Sequence, residues 1–116
     1  MQNSNNFKIE RLESQILKII NETLSEEIYD ETIKLATFTA VKLTNDNSQV
    51  KIYVDTYDRK NIQYVINKLN GARGIFRTAL AKNLSIRRVP EIIIVKDESI
   101  DQSIKIESIL GELKNK

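Results

Sequence analysis

Cysteine, histidine and tryptophan are absent from this chain of 116 residues. Without cysteine there is no disulfide, no thiolate nucleophile and no thiolate-bound metal, and a reducing compartment is compatible with the chain. Without histidine the chain lacks the side chain that titrates near neutral pH and the commonest metal ligand. The composition therefore argues against acid–base and zinc enzymes, and we expect a binding protein with no cofactor and no small-molecule substrate.

Long apolar runs are also missing. No segment approaches the roughly 18 apolar residues that a membrane span needs, and residues 1–6 are polar. These features predict a soluble, cytoplasmic protein with no membrane association. A chain of this length has the size of one domain and buries roughly two-thirds of its unfolded surface. We expect a single domain over residues 1–116, with residues 1–6 and 114–116 as flexible ends.

The first half of the chain predicts a helix followed by a hairpin. Apolar residues recur at steps of three and four in residues 7–24, which is typical of an amphipathic helix. An acidic segment at 25–34 is interpreted as a connector. Residues 35–43 and 50–57 are rich in β-branched and aromatic types and flank the turn-forming residues 44–48, so they predict an antiparallel hairpin. Alternation in the second strand predicts that Val50, Ile52 and Val54 face the core.

The second half returns to helical spacing. Residues 59–70 and 72–84 predict two helices, the first with Asp58 as its N-cap. The apolar run at 92–95, after Pro90, predicts a buried central strand, and residues 100–113 predict a last helix. The order α-β-β-α-turn-α-β-α predicts an α+β two-layer domain, in which helices cover one face of a three-stranded sheet.

The junction between the two central helices is the most informative stretch of the sequence. Gly71, Ala72, Arg73 and Gly74 place two of the three glycines around an arginine. Such a turn lets a sugar-phosphate backbone approach closely. Residues 73–96 carry a net charge of +5, whereas residues 1–72 carry −1 and residues 97–116 carry −2. We interpret this distribution as an RNA-binding surface; a solvated basic surface and, for Gly74, a kink between the helices stay open as alternatives.

The candidate RNA-binding residues are basic or small. Arginine offers a planar fork to phosphate oxygens, and lysine offers a mobile point charge. Basic residues also share one flank of the first helix, and they extend the surface if that helix packs beside the central ones. The tyrosines at 29, 53, 57 and 64 are able to stack on bases, although packing is the favoured interpretation. The full set is Gly71, Ala72, Arg73, Gly74, Arg77, Lys82, Arg87 and Arg88, with Lys8, Arg11 and Lys18 on the first helix.

The order of elements resembles the type II KH domain, and residues 8–113 resemble the bacterial ribosome-binding factor A family. The Ala-x-Gly interruption of that family matches Ala72-Arg73-Gly74. An ordered series of matches is far more specific than a single Gly-x-x-Gly. The series continues as Ile75-Phe76-Arg77, Leu80-Ala81, Leu84, Ile86-Arg87, Pro90-Glu91-Ile92, Asp97-Glu98-Ser99-Ile100 and Ile106.

The resemblance implies a KH-like ribosome assembly factor. Its expected partners are the free 30S ribosomal subunit and 16S rRNA. Its expected role is late maturation, including processing of the 16S rRNA 5′ end, with most importance for growth in the cold and no catalysis of its own. We expect a monomer, because no apolar stripe is left exposed once the helices cover the sheet.

Two other functions are compatible with parts of the sequence. A generic single-stranded RNA-binding KH module shares the fold and the basic surface. An enzyme built on the carboxylates of Asp97, Glu98 and Asp101 is disfavoured, because a cluster of that kind before an amphipathic run is typical of helix capping.

Overall fold

The computed structural model describes residues 2–99, with side chains from residue 8 onward. The predicted order is confirmed as far as the third strand, and the helix predicted at 100–113 lies outside the described residues. Two short 3₁₀ turns, Ile33–Leu35 and Arg59–Asn61, precede β1 and α2. The elements are α1 (Gln2–Glu27), β1 (Ala36–Leu43), β2 (Gln49–Thr56), α2 (Ile62–Gly71), α3 (Arg73–Asn83) and β3 (Glu91–Lys96).

Helix α1 is longer than the sequence predicts at both ends. It begins at Gln2, inside the segment expected to be a flexible end, and it continues to Glu27. The interpretation of residues 25–34 as a connector is therefore wrong for its first part. The reason is that no glycine or proline follows Leu24 to end the helix, and half-buried Ile28, directly after the helix, packs against the core. The turn starts at Asp30, whose carboxylate accepts a hydrogen bond from the Thr32 amide.

The predicted hairpin is confirmed. Strands β1 and β2 pair antiparallel, with Leu43 opposite Val50 at the turn. Asp46 organises the turn, because its Oδ1 accepts hydrogen bonds from the Thr44 hydroxyl, the Ser48 amide and the Ser48 hydroxyl at 2.9, 3.0 and 2.7 Å. These bonds, with that of the Ser48 hydroxyl first, lower the pKa of Asp46 to about 2. Asn47 provides the one non-glycine residue with a positive φ, 60°, among the described residues.

The prediction that residues 92–95 form a central strand is wrong, because β3 lies at the edge of the sheet and β2 lies at the centre. Strand β3 pairs with β2 in parallel. Its apolar run is divided between two faces, with Ile92 and Ile94 in the core and Ile93 and Val95 half-buried. Side chains, and not another strand, bind its outer carbonyl groups: Arg73 Nη1 lies 3.4 Å from the Ile92 oxygen, and Asn70 Nδ2 lies 3.3 Å from the Ile94 oxygen.

The core lies between the sheet and the helices, as the two-layer prediction requires. Helix α1 packs on β1 and α3, whereas α2 packs on β2 and β3. The predicted core face of β2 is confirmed, since Val50, Ile52 and Val54 are fully buried. Phe38 and Phe76 meet edge to face with their ring centroids 5.3 Å apart. No helix among residues 2–99 is long and apolar enough to cross a membrane.

Candidate nucleic-acid interface

The two central helices meet at Ala72, one residue after the break that the sequence predicts at Gly71. Helix α2 ends at Gly71 and α3 begins at Arg73, and Ala72 between them has φ −100° and ψ 14°. The Ala72 carbonyl accepts a hydrogen bond of 3.0 Å from the Ile75 amide, which closes the first turn of α3. No side chain caps this helix. The first-turn amides of α3 are therefore not engaged by a capping side chain, and such groups attract anions.

The fold does not require glycine at either end of this junction. Neither Gly71 nor Gly74 has a positive φ. A Cβ atom added at either position would meet nothing within 4 Å. Backbone strain and close packing therefore do not account for the missing side chain at Gly74, and the exposed backbone at this point is open to a ligand.

Three arginines surround one cleft beside Gly74. Arg73 and Arg77 lie one turn apart on α3, and Arg88 belongs to the loop that leads into β3. All three side chains are exposed. The cleft has a volume of about 620 Å³, and the hairpin turn and the start of β3 provide its other wall. We call it the basic cleft; its polar lining is Arg73, Gly74, Arg77, Arg88, Gln49 and Glu91, with Ser48 at the turn.

Arg73 has a structural role as well. Its Nε donates a hydrogen bond of 3.0 Å to the Asn70 carbonyl at the end of α2. Its Nη1 reaches the Ile92 carbonyl on β3. Arg73 thereby holds the helix junction against the sheet edge, and its remaining donors are left for a ligand.

Lys82 lies on the other side of α3, in a different environment. It lines a cleft of about 760 Å³ between α1 and α3, together with Glu22, Glu26 and Glu27. Gly71 lines this second cleft and not the basic cleft, whereas Gly74 lines both. The helix junction therefore separates a basic surface from an acidic one.

The remaining basic candidates line neither cleft, whereas Ala72 lines the second cleft with Gly71 and Lys82. Arg87 is exposed beside Arg88, and Lys8, Arg11 and Lys18 are exposed on α1. The structure therefore brings four candidates into the basic cleft, Arg73, Gly74, Arg77 and Arg88.

Packing does not account for two of the four tyrosines. Tyr29 is 92% exposed and Tyr57 is 87% exposed, so the favoured interpretation of packing is wrong for these two. Tyr64 is partly exposed, and the ammonium group of Lys68 lies over its ring, 5.6 Å from the centroid. None of these rings lines the basic cleft.

Sequence reasoning missed Gln49 and Glu91 in the cleft wall. They are 42 positions apart and come together because β2 and β3 pair in parallel with Gln49 opposite Glu91. The one available signal was that each follows a loop, one after the hairpin turn and the other after Pro90.

Asp97 has the capping geometry that the sequence predicts. Its Oδ1 accepts hydrogen bonds from the Ser99 amide and hydroxyl, and its Oδ2 accepts one from the Thr39 hydroxyl. These bonds, with that of the Ser99 hydroxyl first, lower the pKa of Asp97 below its usual value. Asp101, which completes the carboxylate cluster, lies outside the described residues.

The α+β architecture, with helices on one face of a mixed three-stranded sheet and a glycine-flanked helix junction, defines a KH-like domain. Comparison with known proteins specifies it further. The family model for ribosome-binding factor A matches residues 8–110. The chain therefore belongs to the ribosome-binding factor A family, which is a family of ribosome-binding factors and not a known enzyme family.

Individual relatives agree with the family. Ribosome-binding factor A of Malacoplasma penetrans is 44% identical over 116 residues, and the match covers 100% of both chains. The crystal structure of ribosome-binding factor A from Thermus thermophilus superposes with a TM-score of 0.69 at 25% identity, covering 76% of this chain and 93% of that one. A homology model of the Thermus thermophilus factor, fitted into a cryo-electron microscopy map of its complex with the 30S subunit, has a TM-score of 0.64 at 25% identity over the same shares of the two chains.

Proposed function

We propose that this protein binds the free 30S ribosomal subunit through 16S rRNA and assists late maturation, including processing of the 16S rRNA 5′ end. The observation that carries the proposal is the convergence of Arg73, Arg77 and Arg88 on one cleft, beside a backbone that has no side chain at Gly74. The related Thermus thermophilus factor, fitted in a complex with the 30S subunit, supports the choice of partner.

The chemistry of the basic cleft suits a single RNA strand. Guanidinium groups donate paired hydrogen bonds to phosphate oxygens and keep their charge at all physiological pH values. The first-turn amides of α3 add a partial positive charge at the same place. Gly74 lets the ribose-phosphate backbone approach the helix without meeting a side chain. The cleft thus binds the RNA backbone through charge and close approach.

Binding alone is sufficient for the proposed role. A protein that binds one rRNA conformation more tightly than another shifts the population toward that conformation by its difference in affinity. The protein would hold one arrangement of the 16S rRNA and leave when the mature arrangement no longer fits the cleft. Nucleases would then cut the 5′ end as an indirect consequence, and the protein would act by binding alone.

Co-sedimentation with purified 30S, 50S and 70S particles tests this proposal. The decisive variant is Arg77→Glu/Arg88→Glu, which reverses two charges in the basic cleft. Its matched control is Lys34→Glu/Lys60→Glu, which makes the same change in net charge at two exposed side chains outside the cleft. Circular dichroism checks that both variants are folded.

The expected result is binding to 30S particles only, lost in the cleft variant and kept in the control. Loss in both variants would mean that overall charge, and not the cleft, controls binding. Retention in the cleft variant would place the contact elsewhere. Equal binding to all three particles would favour a generic single-stranded RNA-binding KH module.

Salt dependence provides an independent measurement. The logarithm of the affinity for single-stranded RNA falls with the logarithm of salt concentration by about 0.7 for each phosphate contact. We expect the slope of the cleft variant to be flatter than that of the wild type by about two contacts, or roughly 1.4. An unchanged slope would show that Arg77 and Arg88 do not contact phosphate.

A further inference from the structure

One carboxylate lies in the otherwise basic cleft. Glu91, the first residue of β3, is exposed and lines the cleft with Arg73, Arg77 and Arg88. Within the described part of the chain, Glu91 takes part in no ion pair. A negative charge here repels phosphate, so it opposes the RNA binding that the arginines favour. A different interaction with RNA would account for its position.

The position of Glu91 is well defined. Its amide donates a hydrogen bond of 2.9 Å to the Ser48 carbonyl, which joins the start of β3 to the hairpin turn. Gln49 lies opposite it in the parallel register, and Gln49 Nε2 lies 3.4 Å from Glu91 Oε2. The backbone is thus held by the sheet, and one carboxylate oxygen is oriented by a neighbour. The other oxygen, Oε1, has no hydrogen bond within residues 8–99.

Among the RNA bases, guanine matches such a group best. Its Watson–Crick edge presents two adjacent donors, N1–H and the N2 amino group, which can bind both oxygens of one carboxylate. Adenine and cytosine each present one amino donor beside a ring nitrogen that accepts, and uracil presents one N–H between two carbonyl oxygens. A carboxylate is repelled by each of those acceptors. Unpaired bases in single-stranded RNA are commonly recognised on this edge.

We propose that Glu91, oriented by Gln49, reads the Watson–Crick edge of an unpaired guanine, while Arg73, Arg77 and Arg88 bind the phosphates around it. The inference rests on the proposed RNA-binding function of the basic cleft and adds the base that the cleft selects. A purely structural Glu91, which only balances the charge of the arginines, would give no preference for one base over another.

Inosine separates the two roles, because it is guanosine without the N2 amino group. The experiment measures fluorescence anisotropy of three labelled octauridylates that carry one central guanosine, inosine or adenosine. The proteins are the wild type, Glu91→Gln and the control Glu10→Gln, which removes the charge of an exposed glutamate on α1. The Glu91→Gln variant keeps the size of the side chain and replaces one acceptor oxygen by a donor.

For the wild type we expect the guanosine oligonucleotide to bind about fivefold or more tightly than the inosine one, the discrimination typical of one good base contact. This preference should disappear in Glu91→Gln, while the loss of a negative charge strengthens binding to the adenosine oligonucleotide. The Glu10→Gln control should keep the preference of the wild type.

Three results would overturn the inference. Equal wild-type affinity for all three oligonucleotides would show that the cleft does not read guanine, and a preference that survives in Glu91→Gln would assign it to another residue. Absence of binding to any of them would also overturn it, since a guanine-reading cleft needs no ribosomal context. In that case selective binding to 30S particles in the co-sedimentation assay would still support the proposed function.

Discussion

The hydroxyl of Thr39 donates a hydrogen bond of 2.6 Å to Oδ2 of Asp97. Thr39 lies in β1, at one edge of the sheet, and Asp97 directly follows β3, at the other edge, because β2 lies between β1 and β3. Thr39 lies where the register of β1 shifts, between Phe38 and Ala40. The bulge directs its side chain over β2, where the hydroxyl also lies 3.4 Å from the Tyr53 carbonyl. One hydrogen bond thus ties the first strand to the end of the third.

Replacement of Thr39 by valine tests the contribution of this bond. Valine keeps the branched shape and removes the hydroxyl, so we expect the free energy of unfolding at pH 7 to fall by about 1 kcal/mol, the usual value for one hydrogen bond. Asp97 has a lowered pKa in the folded protein. Its stabilising contribution is therefore present above the unfolded pKa, near 3.8, and is lost as pH falls through the folded pKa.

Urea unfolding of the wild type and of Thr39→Val, at pH 7 and at pH 2.5, measures how the destabilisation by this substitution depends on pH. The destabilisation by Thr39→Val should shrink at the lower pH, and Thr39→Ser, which keeps the hydroxyl, should retain most of the stability. A destabilisation of the same size at both pH values would show that the ionised carboxylate is not involved.

The hairpin turn supplies a second titration test. The hydrogen bond from the Ser48 hydroxyl is the largest cause of the low pKa of Asp46, about 2. In Ser48→Ala we expect this pKa to rise toward 3.8, because the ionised form loses a donor. The NMR chemical shift of the Asp46 carboxyl carbon, measured as a function of pH, gives this pKa in the wild type and in the variant. An unchanged pKa in the variant would mean that the hydroxyl does not point at the carboxylate in solution.

Alanine at Gly74 should have opposite effects on stability and binding. The new Cβ has free space, and the φ of this residue is not positive. Because alanine favours the helix more than glycine does, we expect the free energy of unfolding to rise by up to about 1 kcal/mol. The same methyl group should lower the affinity for RNA by blocking the approach of the backbone.

Gly71→Ala is the matched control for that experiment. Gly71 has the same free space but lines the α1–α3 cleft, so its replacement should leave RNA affinity unchanged. Equal loss of affinity in both variants would point to the whole junction as the contact, and no loss in Gly74→Ala would remove Gly74 from the interface.

Substitutions of Arg73 and of Arg77 should differ in their effect on the stability of the protein, although both residues line the basic cleft. Arg73 donates to the carbonyl groups of Asn70 and Ile92. We therefore expect Arg73→Met to lower the free energy of unfolding by about 0.5–1 kcal/mol, and Arg77→Met to leave it nearly unchanged. Both variants should bind RNA more weakly. Equal unfolding free energies for the two variants would contradict the anchoring role of Arg73.

Much of the fold followed from local patterns. The stripe in α1 continues through Leu24, and the turn formers at 44–48 and the glycines around Ala72 lie where the predicted elements end. The position of β3 did not follow, because an apolar run is compatible with a central strand and with an edge whose carbonyl groups are bonded by Arg73 and Asn70. Composition alone does not distinguish these two arrangements.

The site was predicted only in part, for a related reason. Arg73 and Arg77 share a helix edge, so their spacing was sufficient to group them. The charge of Lys82 predicts that it belongs with them, but the helix presents it to the opposite side, among Glu22, Glu26 and Glu27. Glu91 was absent from the prediction because its neighbours in the cleft come from three other segments of the chain.

Local sequence patterns account for the element order, the hairpin, the helix junction and the concentration of positive charge after Arg73, since each depends on residues that are close along the chain. Other features arise when the chain folds: β3 pairs in parallel beside β2, Arg88 joins Arg73 and Arg77, and Glu91 lies among them. These features depend on strand pairing and packing between distant segments. The free energy of such contacts is set by the whole folded chain, and not by any local pattern of residues.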